Sequence, residues 1–154
     1  MHPTAETALG EIAGSPPCVD HRLIEMLAEH AEEKRVGDGP EGLARGQGVD
    51  VERDTGFPDG QDGIALFEDK LLIVRPSKDR ATEWLRILHE LAHWILMRMG
   101  WRHSHADVWL LTFALGAPRS MVLRLRPECG VALAGLSGLP AWAAEARLDA
   151  LDAA

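Results

Sequence analysis

Five consecutive residues, His89-Glu90-Leu91-Ala92-His93, carry the clearest chemistry in this chain. Histidines four apart stand one above the other on a helix face. Two neutral imidazoles so placed can hold one Zn2+, and Glu90, one residue past the first ligand, can reach a metal-bound water. The reaction this predicts is metal-assisted hydrolysis of an amide bond. The competing reading is a pair of core histidines bonded to backbone carbonyls, because buried His and Glu cost free energy unless they are satisfied.

The motif needs a helix to present it. From Asp79 to Met99 the chain has no Gly or Pro, and Trp84, Leu85, Leu88, Leu91, Ala92, Ile95, Leu96 and Met99 recur at helical spacing. Ser77 offers an N-cap and Gly100 a stop. The segment is apolar nearly all round, which predicts a central, buried helix. Upstream, Ile64–Phe67 and Leu71–Val74 flank the polar Glu68-Asp69-Lys70 and predict a hairpin. A further short strand is expected near Val49–Glu52, inside a Gly-, Asp- and Pro-rich stretch, residues 37–63, that otherwise reads as loop. The fold class expected is α+β, mostly helical, with a small, about three-stranded sheet ahead of the motif helix. An exposed edge strand of that sheet could hold an extended peptide across the metal by β-augmentation, or the hairpin could simply cover the core.

Other helices are expected from Asp20 to about Arg35, from Ala106 to Ala117, over Arg119–Leu125 and over Leu139–Ala153. Residues 1–18, with Pro3, Pro16 and Pro17, read as a flexible tail, which leaves 19–154 as a single domain. His21 and His30 fall on exposed turns and receive no role. Cys18 and Cys129 are too few and too far apart for a disulfide framework or a Cys-type zinc site.

At 154 residues with 46% apolar content the chain can bury a real core. It has no run of eighteen apolar residues and no basic-then-apolar leader at its start, so a cytoplasmic protein without membrane contact is expected. The net charge of −8 is unevenly spread. Residues 1–69 hold 16 acidic and 5 basic side chains, and residues 75–126 hold 9 basic and 4 acidic. The acidic half argues against direct nucleic-acid binding. It reads first as a solvated surface, and second as a face for a basic partner such as a DNA-binding regulator.

A catalytic zinc keeps three protein ligands and an open position. Asp107, His103, His105, Glu128 and Glu145 are the candidates for the third. Reach favours Asp107: His93 to Gly100 rises about 10 Å along the helix, and the seven residues to Asp107 span about 23 Å when extended. Ser104-His105-Ala106-Asp107 also has the spacing of a capping box, in which the carboxylate would serve the helix rather than a metal. His105 is the alternative ligand. With no Tyr in the chain, an oxyanion donor must be His, Arg, Lys, Trp or backbone N–H, and His105, His103 or Arg102 could serve as that catalytic group.

Over about residues 62–150 these segments resemble the ImmA/IrrE-type metallopeptidases, small gluzincins of bacteria and their mobile elements. The likeness lies in Asp62-Gly63-Ile64 through Ile73-Val74-Arg75-Pro76, in Leu88-His89-Glu90-Leu91-Ala92-His93-Trp94, in Ala106-Asp107-Val108-Trp109 through Leu115-Gly116-Ala117-Pro118, and in Ala143 through Leu151. The resemblance implies a minimal zincin-like domain with His89 and His93 as zinc ligands and Glu90 as general base. Asp107 takes the place of the family's ligand Glu, and Trp109 that of its usual Asn. It further implies a stand-alone endopeptidase whose protein substrate is a separate regulator, a repressor of helix-turn-helix type. Two other readings are a metal-stabilised module that binds a regulator without cutting it, and a toxin component.

Overall fold

A computed structural model describes residues 5–152. In chain order it contains α1 (Ala5–Gly14), α2 (His21–Glu33), α3 (Gly39–Gly46), β1 (Asp50–Arg53), β2 (Gly63–Leu66), β3 (Leu71–Val74), α4 (Arg80–Met99), α5 (His105–Gly116), α6 (Arg119–Leu125), α7 (Gly130–Ser137) and α8 (Ala141–Asp152). The class is α+β, with one small mixed sheet preceding the motif helix, as expected from the sequence.

The sheet has the order β1-β3-β2. The hairpin pairs β2 with β3 antiparallel, Ile64 opposite Ile73 and Ala65 opposite Leu72. On the other side of β3, β1 runs parallel, with Val51 opposite Leu72. Burial along β3 alternates, so Leu72 and Val74 enter the core while Leu71 and Ile73 stay partly open. That period fixes which face of the hairpin meets α4. Strand β2 is left as an edge.

Helix α4 is 20 residues long and starts two residues later than Ser77 alone would suggest. Its N-cap position is Asp79, whose N–H donates to Ser77 Oγ at 3.2 Å. Gly100, at φ 68°, ends it. After a short turn α5 packs along α4, and α2 covers α5 from another side. Leu91, Leu96, Trp109, Leu111, Phe113 and Leu115 form the centre of this three-helix core with Ile24 and Leu27. Helix α8 closes it through Arg147, which is 1% exposed. The Arg147 guanidinium donates to both Glu25 oxygens at 2.6 Å and, through Nε, to the carbonyl of Ala117 at 2.8 Å. One buried cation thus ties α8 to α2 and to the end of α5.

Three elements differ from expectation. Within the segment read as a loose tail, residues 5–14 form α1, which packs on α5 with Ala8 fully buried. The stretch read as loop contains α3, and α7 is an additional helix packed on α8. Among the described residues no single helix is long and apolar enough to cross a membrane.

Candidate functional site

Helix α4 places His89, Glu90 and His93 where α5 and the sheet converge on it. The two imidazoles meet edge to face, with ring centroids 4.8 Å apart and planes at 89°. From α5, the Trp109 ring lies 4.2 Å from His89, and Thr112 Oγ1 lies 3.4 Å from His89 Nδ1. Thr112 already donates its hydroxyl proton to the Val108 carbonyl at 2.7 Å. Toward His89 it can therefore only accept. This assigns the proton to Nδ1 and leaves a lone pair on Nε2.

Burial sets the charge state of the pair. It lowers His89 to a pKa of about 3, with His93 and His105 adding to the effect. It lowers His93 to about 4, aided by His105 and His103 and opposed by Glu11. Both rings are neutral at pH 7, the form a metal requires.

Glu90 is pushed the other way, to about 7, first by burial and then by the neighbouring carboxylate of Asp62. Asp62 is itself held between cations, with Arg75 Nε and an Arg86 terminal nitrogen each 3.6 Å from its Oδ1. Glu90 lies against the first residue of β2. A Cβ built on Gly63 would stand 2.8 Å from Glu90 Cγ. Glycine at 63 is thus what lets the carboxylate approach the strand edge.

Asp107, expected as third ligand, is fully buried at the start of α5 and is engaged there. Ser104 Oγ accepts from Asp107 N, and Asp107 Oδ2 accepts from Ser104 N at 2.8 Å, completing the capping box. The same carboxylate accepts from Cys18 N at 2.9 Å and Val19 N at 3.1 Å. A carboxylate offers about four acceptor sites, and the backbone with Ser104 Oγ occupies them. The chain turns back over Ser104 so tightly that Asp107 faces its own helix terminus, and the extended reach that favoured it as a ligand is not used.

His105 does join the cluster. It is exposed, and its ring faces His93 at 5.7 Å between centroids. His103 instead bonds the Trp101 carbonyl through Nδ1 at 2.9 Å. Glu145 lies on α8 against Gly130 of α7. Among the described residues no three His, Cys, Asp or Glu side chains are assembled at metal-binding geometry. The donor chemistry of His89 and His93 fits a zinc ion as two of its ligands.

Sequence reasoning missed Glu11. Its Oε2 accepts from Trp109 Nε1 at 2.6 Å and lies 3.2 Å from His105 Nδ1. A signal was available: Ala5, Ala8, Leu9 and Ile12 have helical spacing ahead of Pro16. No family model matches the chain, and no curated protein matches it.

Proposed function

We propose that this protein is a metal-dependent hydrolase of amide bonds, a zinc endopeptidase that cuts a partner protein. The observation that carries the reading is the pairing of two neutral imidazoles on one helix face with a carboxylate poised near pH 7 against a strand edge. His89 and His93 would hold the metal. A zinc ion so bound supplies an acidified water and a Lewis acid for the scissile carbonyl. Glu90 takes the proton of the attacking water and delivers it to the leaving amine, a task matched to a group whose pKa lies near the working pH. Strand β2 is an edge of the sheet and can pair with an extended peptide, which would lay the peptide beside Glu90. A helix-turn-helix regulator as substrate follows from the family resemblance, and the acidic N-terminal half suits a basic partner.

The test is bound metal and peptide hydrolysis in wild type, His89→Ala and Glu90→Gln. Near-stoichiometric zinc in wild type and Glu90→Gln, its loss in His89→Ala, and hydrolysis only in wild type are expected. Full activity in Glu90→Gln would sink the mechanism. Among the described residues no three-donor group is preassembled, which favours a second reading, a metal-stabilised module that binds its regulator without cutting it. That reading predicts an uncleaved partner bound equally well by wild type and Glu90→Gln.

A further inference from the structure

Helix α1 brings a carboxylate to the histidine cluster from the far end of the sequence. Both contacts of Glu11 are with side chains that touch the motif. Trp109, which donates to Oε2 at 2.6 Å, lies on His89, and His105, 3.2 Å from the same oxygen, faces His93. The position of Glu11 is built rather than incidental. Ala8, one turn earlier, is fully buried against the core, and the chain just after α1 is tied to α5 through Cys18, Val19 and Asp107.

We propose that Glu11 is the third protein ligand of the metal site begun by His89 and His93, with Trp109 holding its carboxylate beside the cluster. The inference rests on the metal reading above. Two imidazoles and one carboxylate are a donor set of catalytic zinc that leaves a position for water. Asp107 cannot fill the place because its acceptor sites are spent on backbone N–H groups. Glu11, His89 and His93 do not stand at metal-binding geometry in this structure, so ligation would require the Glu11 carboxylate to shift from its present contacts.

The test uses the full chain loaded with Zn2+, with affinity read by competition against a chromophoric chelator, and the visible spectrum of the Co2+-loaded protein. Glu11→Gln keeps an oxygen that can accept from Trp109, and its thermal midpoint checks folding. Loss of at least about 100-fold in zinc affinity together with an altered Co2+ spectrum is expected, since outer partners alone cost about 10–100-fold. Affinity reduced less than about 100-fold, the range an outer partner alone explains, or an unchanged Co2+ spectrum, overturns the proposal. So does a His105→Ala variant that loses zinc while Glu11→Gln retains it, which would make His105 the ligand. A wild-type chain that takes up no zinc overturns the metal reading itself, and separates that failure from failure of Glu11 alone.

Discussion

Removing the carboxylate of Glu90 should make the protein more sensitive to acid, although acid sensitivity is usually reduced when a carboxylate is lost. His89 and His93 have pKa values of about 3 and 4 in the native state against an ordinary 6.5. Below pH 6.5 the unfolded chain therefore binds protons that the native state refuses, and stability falls as pH falls. Glu90 works in the opposite sense. At about 7 against an ordinary 4.5, its native state binds a proton that the unfolded chain does not, so acidification through pH 7 favours folding. Between pH 7 and 5 the two histidines together cost about 4 kcal/mol, and Glu90 returns about 2 kcal/mol. The chain stripped of metal with EDTA should thus lose about 2 kcal/mol from these groups, and Glu90→Gln about 4 kcal/mol. Urea unfolding at pH 5, 6 and 7 measures both, and the difference between the two proteins cancels every group they share. Equal pH slopes, or a shallower slope in Glu90→Gln, would refute the assignment of a protonated, buried Glu90 beside neutral histidines.

Three further outcomes are expected. Arg147→Met leaves the Glu25 carboxylate without its bidentate partner and should cost about 3–5 kcal/mol in urea unfolding; a loss below about 1 kcal/mol would show that the pair contributes little. Gly63→Ala places a Cβ 2.8 Å from Glu90 Cγ and 3.1 Å from the Ile73 carbonyl, which should cost about 1–3 kcal/mol and lower peptide turnover at unchanged zinc content. Asp107→Ala strands the N–H groups of Cys18, Val19 and Ser104 and should cost at least about 2 kcal/mol. Its zinc affinity should change less than that of Glu11→Gln, and the reverse order would restore Asp107 as the ligand.

Where local pattern decides structure, the sequence was legible. The hairpin, the motif helix and Arg119–Leu125 lie where hydrophobic period, turn residues and Pro118 put them. Helix α3 was not legible because Gly39, Gly42 and Gly46 read as loop. Those glycines serve packing instead: a Cβ at Gly42 would meet the Gly37 carbonyl at 2.1 Å, and one at Gly46 the Lys34 carbonyl at 2.2 Å. The parallel pairing of β1 with β3 depends on a long-range choice that period-2 alternation cannot express. At the site, the spacing of His89 and His93 announces itself, whereas the roles of Asp107 and Glu11 depend on which distant segment arrives. Ser104 made the cap visible as an alternative. Nothing in the sequence told that Cys18 and Val19 would occupy the rest of the same carboxylate.

The Asp107 latch also orders events during synthesis. The bonds from Cys18 and Val19 to Asp107 close loops of 89 and 88 residues, and Arg147 reaches Glu25 across 122. The α4–α5 unit is local and can form from adjacent chain, but contacts of such separation carry a loop-closure cost and come late. Helix α1 is made before α5, and neither this partner nor the latch at Asp107 exists until that later segment has been made. The histidine pair is therefore assembled before the segment carrying Glu11 can settle over it. A nascent chain that has passed α4 but not α5 has the motif but not its enclosure.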